Sequence, residues 1–206
     1  MARKNKARII IFAVLILIIA AAAAFAAGFK RAADEYAAYE VKNAITGALY
    51  ESFSSVTLKY GEYIKGIVQK ETVNGEVSAL MVDSMLLNKI TAELTFESTR
   101  RIENLSESFA IPLGNVTGIK MLSGRGPGIK IKVVPLGSVS AGAESKFISA
   151  GINQTLHRIN VRISVLVSVL SPFSMNDAEI SCEYVISETL IVGKVPELYY
   201  MREPTS

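Results

Sequence analysis

From Ile159 to Val169 the chain alternates strictly: Ile159, Val161, Ile163, Val165, Val167 and Val169 are β-branched, with Asn160, Arg162, Ser164, Leu166 and Ser168 between them. A period of two puts the branched set on one face of a strand, whereas a helix would scatter it around its circumference. This run predicts the central strand of a sheet. Three further runs follow the same logic, Ile129–Pro135, Glu144–Ser149 and Ala178–Val192. In the last, Ile180, Cys182, Tyr184 and Ile186 alternate with Glu179, Ser181, Glu183 and Val185. The segment FAIPLGNVTG (109–118) also reads as strand. Gly- and Ser-rich turns join these runs, which predicts mostly antiparallel pairing.

Upstream the period changes. Two apolar-alternating runs, 63–71 and 76–82, flank Asn74-Gly75, a dipeptide that supplies the positive φ values of a tight turn, so a β-hairpin is expected. Asp83 or Ser84 then caps a predicted helix from Met85 to Ser106. Leu87, Ile90, Leu94, Ile102 and Leu105 share its apolar face, while Lys89, Glu93, Glu97, Arg100, Arg101 and Glu103 read as solvated. From Asp34 a second helical pattern puts Ala37, Val41, Ala44, Ala48 and Ser52 on one face. Such small residues fit close packing against another helix or a neighbouring subunit; a spacer with little packing is the competing reading.

The longest apolar run comes first. Ile9–Phe29 carries no charge and, as a helix at about 1.5 Å per residue, reaches roughly 30 Å, enough to cross a hydrocarbon core. Arg3, Lys4, Lys6 and Arg8 precede it and only Lys30 and Arg31 close it, which orients the N-terminus to the cytoplasm and the rest of the chain outside. The Ala24-Phe25-Ala26 pattern allows a cleaved signal peptide instead. An uncleaved single-pass anchor fits the length of the run better. The chain then divides into a basic stub (1–8), an anchor (9–29), an Ala-rich helix (30–56), an extracytoplasmic α+β domain (57–200) and a tail (201–206).

Composition adds limits. The formal charge of +3 is spread among acids, so no nucleic-acid partner is expected. The single cysteine, Cys182, excludes an intrachain disulfide and a thiol metal cluster and reads as a small buried hydrophobe. No cofactor is expected. The glycine cluster Gly124-Arg125-Gly126-Pro127-Gly128 lacks the Lys-Ser/Thr of a phosphate loop, and it reads as a tight connection whose Arg125 can touch a partner. His157, the only histidine, follows the polar leader Asn153, Gln154 and Thr155. It has no second histidine with which to bind metal, and no serine has a recognisable base partner. Asp83, Glu144, Glu183 and Glu188 could supply acid–base chemistry only if two of them converged. Glu188-Thr189 lies in a strand-like run where a cross-strand pair is the ordinary explanation. Three glycosylation sequons, at Asn104, Asn115 and Asn153, carry no weight.

Several segments together resemble the sporulation protein YunB family of endospore-forming bacteria: IPLGNVTG (111–118), LSGRGPGIKIKVVPLG (122–137), FISAGINQTLHRI (147–159) and ETLIVGKVPELY (188–199). VSALMVDSMLLNKI (77–90), with Asp83 and Asn88 at matching places, is similar as well. Ile186-Ser187-Glu188-Thr189 departs mildly from the hydrophobic-Ala-Glu-Thr run expected there. The resemblance implies a membrane-anchored protein of the sporulating mother cell and brings no catalytic residues with it. The expected function is thus non-enzymatic, through contacts with other sporulation or envelope proteins and with self-association as one possibility. An envelope hydrolase using Glu188, Asp83 or His157, or a ligand-binding sensor, is the alternative.

Overall fold

The computed structural model describes residues 2–73, 76–105 and 109–193. The expected Asn74-Gly75 turn, the Lys194–Tyr199 part of the last family-like segment and the tail lie outside the described residues. The chain forms two compact units, each drawn from three segments: Met1–Asn43, Ser106–Val134 and Ser168–Ala178 in the first, Ala44–Leu105, Pro135–Val167 and Glu179–Ser206 in the second. The architecture is α+β, with a long apolar N-terminal helix, a two-stranded hairpin sheet and a five-stranded sheet.

Helix α1 runs unbroken from Ala2 to Ile64. Its side chains from Ile10 to Gly28 are all exposed although the stretch is apolar, the arrangement expected where lipid rather than protein is the solvent. From Ala33 onward a helical stripe is buried: Ala33, Ala37 and Val41 in the first unit, and Ile45, Ala48, Leu49, Ser52, Val56 and Tyr60 in the second. The small-residue face is therefore used inside the chain itself.

In the first unit β3 (Phe109–Pro112) pairs antiparallel with β4 (Gly128–Pro135), Ile111 opposite Ile129. Ile111, Ile129, Ile131 and Val133 are buried. A one-turn helix, α3 (Leu113–Val116), and a 3-10 turn (Lys120–Leu122) fill the connection between these strands.

The second unit holds the hairpin of β1 (Val68–Val73) and β2 (Glu76–Val82), whose register slips between Glu71 and Thr72. Helix α2 (Ser84–Leu105) follows and buries Ile90, Leu94, Ser98 and Ile102. Two ion pairs, Lys59–Glu93 at 2.5 Å and Arg101–Glu51 at 2.9 Å, join α2 to the second half of α1. Exposed pairs of this kind fix register more than they stabilise. Strand β5 (Ser140–Gly151) pairs antiparallel with β6 (Gln154–Leu170), and β7 (Met175–Val192) also pairs with β6, giving the order β3-β4-β6-β5 with β7 beside β6.

Strand β6 has the predicted character. Its odd-numbered side chains from His157 to Val169 are all buried, and Ile159, Val161, Ile163 and Val167 are wholly inaccessible. Four expectations need correction. Residues 113–118 are not strand: Pro112 ends the ladder, and Leu113–Val116 turns helical because Gly114 must approach another backbone closely. Tyr63 and Ile64 close α1 rather than opening the hairpin; the Gly66 and Ile67 N–H groups donate to the Tyr63 and Ile64 carbonyls at 3.1 Å each. Ile45, not Ala44, continues the buried helical stripe. Finally, β5 begins at Ser140, four residues before the expected start. Ser140-Ala141-Gly142-Ala143 has no hydrophobic alternation to announce it, because this end strand is exposed along most of its length.

Candidate functional site

The glycine cluster is a clasp between two backbones. Leu113 N–H donates to the Pro127 carbonyl at 3.0 Å, and Gly114 N–H donates to the Arg125 carbonyl at 2.9 Å. A Cβ on Gly114 would sit 1.8 Å from the Leu122 carbonyl oxygen and 2.7 Å from that of Arg125, so only glycine fits. Gly124 and Gly126 have φ of 75° and 95°, which an L side chain resists. A Cβ on Gly128 would meet the Ala110 Cβ at 2.7 Å. Arg125 and Pro127 thus contribute carbonyls to the clasp, and the Arg125 side chain stands exposed.

Asn115 locks this loop from within. Its Oδ1 accepts from the Gly124 N–H at 2.7 Å and the Ser123 hydroxyl at 3.3 Å, while its Nδ2 donates to the Tyr36 hydroxyl of α1 at 2.9 Å. Two residues before Tyr36 on α1, in the same unit, Asp34 accepts from the hydroxyls of Ser171 (3.0 Å) and Ser174 (2.5 Å) in the β6–β7 turn. The Tyr36 hydroxyl donates to the Glu40 carboxylate, which holds its proton and raises the phenol above its ordinary pKa. Tyr36, Asp34, Ser171 and Ser174 had no motif to announce them, and the family-like segment IPLGNVTG contained Gly114 and Asn115 without showing what they do. Beyond that, the only signal in sequence was Gly114-Asn115 inside an otherwise apolar run.

The polar leader of β6 forms the β5–β6 turn. Gly151 has φ 143° and Asn153 φ 57°, both in the left-handed region, and the Asn153 carbonyl accepts from Gly193 N–H at 2.7 Å. Gln154 and Thr155 pair with Gly151 and Ser149 in the ladder. His157 follows them into the interior at 1% exposure. Its Nε2 is 2.7 Å from the Ser145 hydroxyl and its ring lies 4.7 Å from that of Phe147, its cross-strand partner. The Nδ1 has no hydrogen-bond partner among the described residues. Burial disfavours the cation and lowers the imidazole pKa.

The remaining candidates are spread through the second unit. Asp83 Oδ1 accepts from the Leu86 N–H at 2.9 Å and caps α2, and Asn88 uses its carbonyl to accept from the Thr91 hydroxyl. Glu188 is bonded to Arg158 Nε at 2.5 Å on the more exposed sheet face, while Thr189 is buried. Glu183 accepts from Arg162 (3.2 Å) and Asn160 (2.6 Å), and the Arg162 bond holds its carboxyl below the usual range. Glu144 pairs with Lys146 at 2.9 Å. Asp83, His157 and Glu188 share no partner in these contacts. Inward-facing positions on β7 change parity between Ile186 and Thr189, which is how neighbouring Glu188 and Thr189 come to lie outside and inside. Cys182 is half-buried, and burial raises the pKa of nearby Tyr184, whose ring stacks on Phe53 at 4.2 Å. No group of three or more metal-ligating side chains gathers among the described residues.

These features define a class: an α+β module behind an exposed apolar helix, with its distinctive residues spent on loop and turn geometry. The family expectation is borne out. Residues 108–198 match the family model described as Sporulation protein YunB. The sporulation protein YunB of Bacillus subtilis (strain 168) is 24% identical over 172 residues, covering 78% of this chain and 67% of that protein. No solved structure matches. The matched region takes in the clasp, the β5–β6 turn and strands β6 and β7, and the likeness supports a role in sporulation.

Proposed function

We propose that the chain is a single-pass membrane protein of the sporulating mother cell. Its C-terminal region acts by contacts with sporulation or envelope proteins in the space around the forespore, without catalysing a reaction. The observation that carries this reading is the apolar stretch Ile10–Gly28, exposed throughout and long enough for a hydrocarbon core. The cationic excess on its N-terminal side favours a cytoplasmic N-terminus. The named role of the Bacillus relative supplies the process. Support for contact rather than chemistry comes from the candidate groups: Asp83 caps a helix, His157 is buried against Ser145, and Glu188 is held by Arg158.

Crosslinking and affinity capture from sporulating cells tests this reading, comparing wild type with Arg125→Ala at the exposed tip of the clasp. The expected result is a discrete set of envelope or sporulation proteins captured by wild type, at least one of them lost with Arg125→Ala. Capture indistinguishable from that of an unrelated single-pass protein would contradict a contact role. His157→Ala reports on the β5–β6 hairpin rather than on a surface, because the imidazole is inside.

A further inference from the structure

The first unit keeps several large apolar side chains in the open. In the β3–β4 connection Ile119, Met121 and Leu122 are 54%, 78% and 39% exposed; Phe173 in the β6–β7 turn and Met175, which opens β7, are 38% and 64% exposed. A soluble surface does not usually gather such residues on two adjoining loops. Both loops are tied to α1 just beyond its apolar run, through Asn115–Tyr36 and through Ser171 and Ser174 to Asp34.

Both also reach back onto the run itself. The Phe173 ring meets Phe29 edge to face at 6.0 Å. Val116, Thr117 and Ile119 line a cleft of about 380 Å³ with Phe25, Gly28, Phe29 and Ala32. Phe25 lies one helical turn, about 6 Å, before Phe29, and both precede Lys30, the first charge after the apolar run. Any surface level with Phe25 and Phe29 is therefore level with the last turn of the membrane-crossing stretch. Gly28 leaves the cleft open, with nothing near its missing side chain. Lys30, Arg31 and the exposed Lys120 supply cations at the height where lipid phosphates lie.

We propose that the lipid bilayer covers this surface: Ile119, Met121, Leu122, Phe173 and Met175 sit in the outer boundary of the membrane and acyl chains fill the Phe25–Phe29 cleft. The inference rests on the membrane-anchor reading and adds a second, loop-borne attachment to it. The two loops then lie on the membrane like an interfacial helix, with apolar side chains below the headgroups and cations among them.

The chain contains no tryptophan, so single tryptophans report depth cleanly. Full-length Met121→Trp, Phe173→Trp and Ile16→Trp are reconstituted in vesicles of phosphatidylcholine and phosphatidylglycerol, with and without lipids brominated near the headgroup end of the acyl chains. Met121→Trp and Phe173→Trp are expected to lose most of their emission to the bromines, and Ile16→Trp to be quenched within the span. Quenching of Ile16→Trp alone would overturn the loop attachment and leave the anchor standing. No quenching at Ile16 would overturn the anchor and this inference with it. Blue-shifted but unquenched emission at 121 and 173 would assign the surface to a protein cover, such as a second copy, and reject lipid.

Discussion

His157 carries a pH dependence whose sign follows from its burial. The folded chain holds the imidazole neutral, so its proton affinity lies below that of the unfolded chain. As pH falls through about 6.5 the unfolded state takes up a proton that the folded state resists, and stability is lost towards acid, by at most about 1.4 kcal/mol per pH unit for one such group. Above that range both states are neutral and the effect vanishes. Urea denaturation of the full-length protein in detergent between neutral and mildly acidic pH is expected to show this loss in wild type and not in His157→Gln. Parallel curves for the two would place the pH dependence elsewhere. Gly114 makes a purely steric demand. Gly114→Ala must displace the Leu122 or Arg125 carbonyl, with an expected loss of about 3 kcal/mol or more and a lower melting temperature. A melting temperature equal to wild type would mean that the clasp yields freely.

Among the elements, β6 and α2 give contrasting expectations. Ile163 is wholly buried, and Ile163→Ala should cost about 2–5 kcal/mol through lost burial and the cavity left behind. Asp83→Ala removes a single cap bond and should cost about 1 kcal/mol. Glu188→Ala, losing a half-exposed ion pair with Arg158, should cost less than about 1 kcal/mol. Denaturant midpoints of the three variants check the order, and a Glu188→Ala penalty near that of Ile163→Ala would contradict it. These elements also show what could be read in advance. Strand β6 and helix α2 were legible because one face of each is buried, which writes a period into the sequence. Strand β5 was only partly legible because its small residues are exposed, and the helical turn at Leu113–Val116 was hidden because its cause is a close approach to residues 122–127. The glycine cluster could be read as a connection, but its lock through Asn115 and Tyr36 joins residues 79 positions apart that no local pattern links. Asp83 and Glu188 were readable as polar features, and their partners Leu86 and Arg158 emerged only with the capping geometry and strand pairing.

At the scale of the whole molecule, a single helix, α1, takes part in both units. Its first part is apolar and bare, and its later turns supply buried stripes to both units. The family-model match covers the β-rich region, while the membrane reading rests on the helix, so the two are tested separately. The central claim is that Ile9–Phe29 stays in the membrane as an uncleaved span, with the N-terminal stub in the cytoplasm and the chain after Phe29 outside it. Its most direct test is protease treatment of intact protoplasts from cells producing the full-length chain, with tags at both ends, followed by alkaline carbonate extraction of the membranes. The account predicts one carbonate-resistant species of full length, whose C-terminal tag is lost to protease while the N-terminal tag is protected. Release of a shortened chain into the soluble fraction, or a C-terminal tag shielded until the protoplasts are lysed, would contradict it.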